Sequence, residues 1–301
     1  MSIKSVVIVL LVIVNLCWFA TLACADVDEK TIYLSDDRME VFEADTELQQ
    51  VARSVGMLVA RNKLERLENG DYKLRPQTLA KRFDLCPHER YADQPSAGFC
   101  TVILTGEDQV LTASHCLKLR VGGEIKSAED AAVIFAYQYN NRQTTPDVIP
   151  SENIYFLTKN LKKSKRIYDW GLWQLDRPVK SQQAITIASK LPALNTEVFM
   201  VGHPRGLPQK VAIGQVYKLE GEFFLTDLDA FEGNSGSPLF IYDENGLPQW
   251  AGLLLSGGDD LVLDEKRACN KLHRCEGVDT DSFSCGGERA LSSLSIFEGL
   301  N

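Results

Sequence analysis

Short hydrophobic runs, separated by turn-forming and charged residues, dominate the chain between residues 54 and 256. They are rich in the β-branched and aromatic side chains that strands favour. The runs lie at 54–60, 98–104, 109–115, 131–139, 153–157 and 170–175, and then at 184–188, 197–203, 210–219, 223–228, 237–242 and 250–256. This pattern is typical of antiparallel sandwiches and barrels rather than of a parallel α/β sheet, so it predicts an all-β fold.

The runs fall into two sets of six, which indicates two similar halves. We expect a first barrel within residues 26–183 and a second within 184–301. Residues 61–97 are charged, turn-rich and weakly periodic, and we interpret them as a surface insertion or a processing loop around Lys81–Arg82. Two helices are predicted, one starting at the N-cap candidate Asp45 and one within 288–300.

The first 25 residues have the organisation of a secretory signal peptide. Lys4 precedes an apolar run over residues 6–22, and a small-x-small pattern follows at 23–25. The pattern predicts export with cleavage after Ala25. Two alternatives retain a membrane attachment: an uncleaved anchor, since residues 6–25 are long enough to span a bilayer, and a lipoprotein attached through Cys24.

The charge of the mature chain argues against nucleic-acid binding. Cleavage removes Lys4 and no acidic residue, so the formal net charge changes from -9 to -10. An acidic chain lacks the basic surface that phosphate contacts require. The 276 residues that remain (301 minus 25) can bury one large core or two small ones.

Six cysteines remain after cleavage: Cys86, Cys100, Cys116, Cys269, Cys275 and Cys285. An even number in an exported chain predicts three disulfides, and the sequence leaves their pairing open. A zinc site is the alternative, but the spacings contain no CxxC pair. Residues 279–284 lack the glycine and the distal glutamate of a calcium loop, so no metal and no cofactor are expected.

One serine lies in a run that neither a helix nor a plain strand would favour. Residues 231–240 read FEGNSGSPLF, with Ser235 at the centre. A polar surface turn has this composition. The alternative is a nucleophile on a tight turn, where glycines let two backbone N–H groups point at one oxygen. Such a serine needs a histidine as general base and a carboxylate that orients the histidine.

Two other residues are candidates for those roles. His115 ends the apolar run 109–115, whereas the other three histidines lie in turn-like surroundings. Asp169 directly precedes the apolar run 170–175. A buried acid at that position would need a hydrogen-bonding partner such as an imidazole N–H. We therefore predict that His115, Asp169 and Ser235 act together.

The motifs TASHC (112–116), DWGLWQL (169–175) and GNSGSP (233–238), in that order, resemble those of the chymotrypsin-like serine endopeptidases. The motifs GNSGSP, VGHPRGLPQK (201–210) and SDDR (35–38) are most similar to the bacterial branch that contains the glutamyl endopeptidases. The resemblance implies two six-stranded antiparallel Greek-key barrels with a C-terminal helix. It also implies that Cys100 and Cys116 form a disulfide, which would contribute on the order of 3 kcal/mol.

The resemblance also implies a role for each residue. Ser235 would be the nucleophile, His115 the general base and Asp169 the group that holds the histidine tautomer. The backbone N–H groups of Gly233 and Ser235 would form an oxyanion hole. Asn234 stands where zymogen-type members have an aspartate that captures a new N-terminal amine, so that activation switch is not expected.

The specificity pocket is expected to contain Asp229, Ser256, Gly257 and Gly258. Asp229 lies six residues before Ser235, the offset at which trypsin-like members place the acid that pairs with Arg or Lys. The alternative is that Asp229 belongs to a strand end. Glutamate specificity would be supported by a histidine in the strand after the nucleophile, and the stretch AGLLLSGG (251–258) has none.

Together these features predict a secreted or periplasmic serine endopeptidase that hydrolyses peptide bonds through an acyl-enzyme. The expected partner is a protein or peptide substrate, with no nucleic acid and no stable membrane association after signal cleavage, and the enzyme is expected to be a monomer. The alternative from another class is a catalytically lapsed protein-binding module on the same fold.

Overall fold

The computed structural model describes residues 32–33, 35–118, 127–140, 147–180, 185–275 and 286–300. The predicted signal peptide and Cys285 lie outside these residues. The strands are short, as the hydrophobic runs predict. In chain order they are β1 (Ile32–Tyr33), β2 (Met39–Glu40), β3 (Val55–Ala60), β4 (Leu64–Arg66), β5 (Tyr72–Leu74), β6 (Gln77–Thr78), β7 (Pro95–Ser96), β8 (Cys100–Gly106), β9 (Gln109–Ala113), β10 (Ala131–Phe135), β11 (Val148–Ile149), β12 (Ile154–Lys163), β13 (Trp170–Leu175), β14 (Glu197–Gly202), β15 (Lys210–Glu220), β16 (Phe223–Thr226), β17 (Pro238–Tyr242), β18 (Pro248–Ser256), β19 (Leu261–Asp264), β20 (Cys269–Leu272), β21 (Arg274–Cys275) and β22 (Glu288–Ser292).

The first barrel is closed and antiparallel, with the strand order β10-β12-β13-β9-β8-β3. All six residues of β3 are buried, so both faces of this strand are covered. The insertion covers one of these faces, since its residue Leu74 belongs to a buried cluster that also contains Met57 and Val59 of β3. Because side chains on both faces of such a strand are buried, its sequence is apolar throughout, as it is in β3.

The second barrel has the order β14-β17-β18-β22-β16-β15, and a pairing between β14 and β15 closes it. The predicted strand at 184–188 is wrong, because its described residues form only an isolated bridge between Ile187 and Trp250. The sixth strand is instead β22, in the segment predicted to be entirely helical. The molecule thus has two six-stranded antiparallel barrels, as predicted, but one of the twelve strands lies elsewhere in the chain.

Three short α-helices accompany the barrels: α1 (Thr46–Ala52), α2 (Leu79–Phe83) and α3 (Ser293–Leu300). Helix α1 begins where predicted, since the Asp45 side chain accepts a hydrogen bond from the N–H of Leu48 at 2.7 Å. Helix α3 is shorter than predicted because β22 occupies the first part of the segment. Within the ranges described above, none of the helices has the length and hydrophobicity of a bilayer-spanning segment.

The insertion at 61–97 is folded into small sheets and helix α2. Strands β4 and β5 form a hairpin, which β11 extends to three strands. Lys81 and Arg82 lie in α2, and the Arg82 guanidinium donates to the Gly98 carbonyl at 2.9 Å. A disulfide joins Cys86 to Cys269, so the insertion is attached covalently to the second half of the chain.

Candidate active site

His115 and Asp169 lie at the ends of two paired strands. β9 pairs with β13, and Ala113 is opposite Trp170 in this register. Because the two strands are antiparallel, the residues that follow Ala113 and the residue that precedes Trp170 lie at the same edge of the barrel. The strand ends at Ala113, and His115 lies in the 3₁₀ turn Ser114–Leu117 rather than in the strand as predicted. The His115 Nδ1 atom is 2.6 Å from Asp169 Oδ2.

Asp169 is fixed by its backbone as well as by its side chain. Its carbonyl accepts a hydrogen bond from the Ser114 N–H at 2.6 Å. Its second carboxylate oxygen, Oδ1, is 3.2 Å from Lys118 Nζ. Partial burial opposes ionisation, but the hydrogen bonds and charges of His115 and Lys118 outweigh it and lower the pKa of Asp169. Asp169 is therefore an ionised acceptor for the His115 ring at neutral pH.

Ser235 lies in a tight loop between Phe231 and β17, and the first barrel supports this loop. The N–H of Thr101 donates to the Ser235 carbonyl at 3.0 Å. The Thr101 hydroxyl donates to the Gly233 carbonyl at 2.8 Å. Gly236 has φ of +86°, and a Cβ at this residue would overlap the Thr101 carbonyl and the Thr112 hydroxyl. The glycine therefore permits the close approach of the two barrels at the loop.

The peptide between Glu232 and Gly233 has a fixed orientation. The N–H of Arg205 donates to the Glu232 carbonyl at 2.5 Å. Because a trans peptide directs its N–H opposite to its C=O, the Gly233 N–H points the other way. Within the described part of the chain, the N–H groups of Gly233 and Ser235 donate to no acceptor. Gly233 has φ of +99°, and a Cβ there would lie 2.6 Å from the His203 carbonyl.

The other described histidines have different environments. His203 is buried and its Nδ1 is 3.0 Å from the Leu207 carbonyl. Burial lowers the pKa of His203 to about 3, so this ring is neutral at physiological pH. One third of the His115 side chain is exposed, in contrast to the buried His203. The described residues show no hydrogen bond between His115 Nε2 and Ser235 Oγ; such contacts are often long in unliganded sites.

The Cys100–Cys116 disulfide joins β8 to the turn that carries His115, with an S–S distance of 2.04 Å. The two sulfur atoms and the His115 ring lie close enough together to hold a metal ion. Sulfur binds zinc as thiolate, however, and both sulfurs are consumed by the disulfide.

Cys275 is also disulfide-bonded.

A cavity of about 300 Å³ lies beside Ser235. The predicted pocket residues Ser256, Gly257 and Gly258 line it, together with apolar side chains from both sides of the nucleophile loop. It is also lined by charged side chains that sequence reasoning did not single out: Arg205, Glu232, Asp259, Asp260 and Glu288. Apart from the adjacent Asp259 and Asp260, these residues are far apart in the chain, and only the fold brings them to one cavity.

Asp229 does not line this cavity, which corrects the expectation that it is the pocket acid. It is 1% exposed. Its carboxylate accepts hydrogen bonds from the backbone N–H of Tyr33 at 2.8 Å and of Asp37 at 3.0 Å. Burial raises the pKa of Asp229 to about 7. Asp229 thus attaches the N-terminal segment, including the SDDR motif, to the strand end before the nucleophile loop.

Comparisons with known proteins agree with this geometry. Residues 98–247 match the family described as the trypsin-like peptidase domain, which is about half of the chain. No curated protein sequence matches the chain with significance.

Three solved structures are similar to this chain at low sequence identity. The structure of a Glu endopeptidase in complex with MPD has a TM-score of 0.50 at 17% identity and covers 90% of this chain and 97% of that chain. The serine endoprotease from Yersinia pestis has a TM-score of 0.47 at 16% identity, with 84% of this chain covered. The chain spans 63% of that protein, less than two thirds of its length. A protease from M. tuberculosis in its active form has a TM-score of 0.47 at 13% identity and covers 85% of this chain and 82% of that chain.

The family match covers the turn with His115, the strand start with Asp169 and the loop with Ser235, and the two closed barrels are those of the chymotrypsin-like fold. Residues 98–247 therefore form a trypsin-like peptidase domain.

Proposed function

We propose that the protein is an exported serine endopeptidase that uses Ser235, His115 and Asp169 as a catalytic triad. The observation that carries the proposal is the 2.6 Å contact between His115 Nδ1 and Asp169 Oδ2 at the edge of the first barrel. It directs the other ring nitrogen, Nε2, away from the carboxylate. A neutral ring held in this tautomer can accept a proton at Nε2.

In the proposed reaction, Ser235 Oγ attacks the scissile carbonyl carbon while His115 Nε2 takes the hydroxyl proton. The carbonyl oxygen becomes an oxyanion, which accepts hydrogen bonds from the N–H groups of Gly233 and Ser235. His115 then gives its proton to the leaving amine, which leaves an ester on Ser235. Water, deprotonated by His115, hydrolyses that ester and restores the serine.

Asp169 supports this cycle without exchanging a proton. It accepts the Nδ1–H bond and stabilises the imidazolium that forms in both steps. Its lowered pKa keeps it ionised while His115 is charged. Lys118 shares the carboxylate, but it is about half exposed, so solvent weakens its effect on the site.

Export is part of the proposal. It is supported by the signal-peptide pattern at residues 1–25 and by disulfides that persist in oxidising compartments. We place the chain in the bacterial branch on its motifs GNSGSP and VGHPRGLPQK. The glutamate specificity of some members is not carried over, because residues 251–258 contain no histidine.

Intact-mass analysis with a fluorophosphonate probe tests the proposal, because such a probe phosphonylates a serine only where base and oxyanion hole are assembled. Stoichiometric labelling of the wild type, with no labelling of Ser235→Ala, is the expected result. If the folded wild type is not labelled, the triad is not functional and the lapsed binding module becomes the better interpretation.

A further inference from the structure

A basic segment interrupts this acidic chain directly before Asp169. Residues 153–168 contain no acidic residue, and their cations are Lys159, Lys162, Lys163, Lys165 and Arg166. The formal net charge of the whole chain is -9, so without these five positive charges the other residues carry -14. An acidic protein with one basic segment attracts an anionic partner at that segment and repels it elsewhere.

All five cationic side chains of this segment are exposed. Three of them lie in the second half of β12 and two in the turn to β13. That half of β12 pairs with β13, whereas β10 pairs only with residues 154–156. Within the described ranges, none of the five cations forms an ion pair with a carboxylate. Their charges therefore remain available to a partner.

Exposed apolar side chains accompany the cations. Leu161 in β12 is 36% exposed, Ile167 in the turn is 64% exposed, and Phe297 in α3 is 48% exposed. They are three of the eight large apolar side chains that the described residues expose. Leu161 and Phe297 also line a cavity of about 570 Å³ together with Lys162, and the rest of its lining is mostly apolar. A partner for this region must offer apolar groups as well as negative charge.

Helix α3 is held against the hairpin of β12 and β13, so the cations and the apolar side chains belong to one surface. Lys162 Nζ donates to the Leu300 carbonyl at 2.9 Å. A Cβ at Gly299 would lie 2.9 Å from the Trp170 ring, so the helix and the hairpin are in close contact there. We call residues 158–167 and 297–300 the basic surface.

Two acids lie beside the cations of the basic surface. Glu222 and Glu298 line a cavity of about 390 Å³ together with Lys163 and Lys165. The Glu222 carboxylate is also hydrogen-bonded to Tyr168. Five cations against two acids leave a formal charge of +3. The acids thus reduce the positive charge of this region without cancelling it.

We propose that the basic surface docks the protein on an anionic phospholipid bilayer. The cations would pair with phosphate groups, while Leu161, Ile167 and Phe297 would enter the boundary between headgroups and acyl chains. An acidic polypeptide would complement the charges alone, whereas a bilayer also takes up the apolar side chains. Such binding is peripheral and reversible, unlike a spanning or lipid anchor. Because Asp169 follows the turn, the docked protein would hold its candidate active site near the bilayer.

Sedimentation with vesicles of equimolar phosphatidylglycerol and phosphatidylcholine measures this binding and needs no catalysis. The protein is purified after export and shown by intact mass to begin at Asp26, so that the apolar run of the signal peptide is absent. We expect binding that weakens as the ionic strength rises, and none to pure phosphatidylcholine vesicles. Absence of binding to the anionic vesicles at low ionic strength would overturn the proposal.

A paired substitution tests the charges. Lys163→Gln with Lys165→Gln should weaken binding to the anionic vesicles by at least about 10-fold, because two cations near the lipid phosphates are lost. Lys73→Gln with Lys266→Gln is the matched control, since both lysines are exposed and lie in β5 and between β19 and β20. Equal weakening by the two pairs would show that net charge alone determines binding, which would contradict a role of the basic surface.

Phe297→Ala tests the apolar contacts and should weaken binding by at least about 3-fold. Leu247→Ala is its control, because Leu247 is an exposed apolar side chain between β17 and β18. Thermal melts check the fold of each variant, and Ile167→Ser replaces Phe297→Ala if the latter does not fold. Unchanged binding by the apolar variant, or tighter binding of soluble polyglutamate than of the vesicles, would favour an acidic polypeptide as partner and overturn the proposal.

Discussion

The Thr101 hydroxyl bridges the two sides of the candidate site: it donates to the Gly233 carbonyl at 2.8 Å and accepts the His203 N–H at 3.1 Å. Thr101 belongs to the first barrel, whereas the other two residues belong to the second. The hydroxyl thus holds the predicted oxyanion loop against the barrel that carries His115.

We expect Thr101→Val to destabilise the fold and slow the reaction. Two buried backbone groups would lose their partner, which costs about 1–3 kcal/mol. Misplacement of the Gly233 amide should lower kcat by roughly 10 to 10²-fold. Denaturant unfolding and steady-state kinetics measure the two effects. Thr101→Ser keeps the hydroxyl and is the control; equal kcat values for the two variants would show that the hydroxyl has no positioning role.

Gly233→Ala should lower turnover by roughly 10² to 10³-fold, the loss expected for one oxyanion donor. The substitution places a Cβ at φ of +99° and 2.6 Å from the His203 carbonyl. Gly221→Ala is the matched control, because Gly221 also has positive φ but has open space around it. Equal turnover by the two alanine variants would rule out the Gly233 N–H as an oxyanion donor.

Asp169→Asn should reduce kcat by about 10⁴-fold, since an amide can no longer hold the required His115 tautomer. Lys118→Gln removes the other partner of the same carboxylate. Because Lys118 is about half exposed, its loss should change kcat only a few-fold. The comparison, made by kinetics on one peptide, separates tautomer control from charge; similar losses in both variants would contradict the assignment of Asp169.

Asp229 should make the fold less stable as the pH rises. Burial raises its pKa from 3.8 to about 7 in the folded protein. Between these values the unfolded chain releases a proton that the folded protein retains, so stability falls as pH increases through this window. Each unit of pKa difference corresponds to about 1.4 kcal/mol.

Unfolding experiments between pH 4 and 7 measure this dependence. Asp229→Asn cannot ionise, so its free energy of unfolding should fall less steeply with pH than that of the wild type. The slope is the readout, because the amide substitution also alters the hydrogen bonds to Tyr33 and Asp37. Parallel curves for the two proteins would show that Asp229 titrates normally.

Most strands of the two barrels could be predicted from the sequence, because the barrels are built from short apolar runs with turns between them. One strand was predicted at the wrong place. Residues 184–188 are apolar, but their described part makes only an isolated bridge. β22 begins with the charged residues Glu288 and Arg289, so it lacks the apolar pattern by which the other strands were predicted. Pairing with β16 and β18 stabilises β22, and those partners are distant in the chain.

The parts of the site that lie within a short sequence motif could be predicted, as for Ser235 and the glycines beside it. Asp229 was assigned to the pocket from its distance in sequence to Ser235. That distance could not show that the N-terminal segment covers its carboxylate. Thr101, Arg205 and Glu288 were missed because only the fold brings them to the candidate site, Thr101 through contacts between the two barrels and the other two as lining of the cavity.

The most direct test of the central claim is the kcat/KM of peptide-bond hydrolysis for the wild type and for Ser235→Ala, measured on preparations with matching thermal melts. We predict that the substitution lowers turnover by about 10⁶-fold while the fold is retained. Equal turnover by the two proteins would contradict the assignment of Ser235 as the nucleophile.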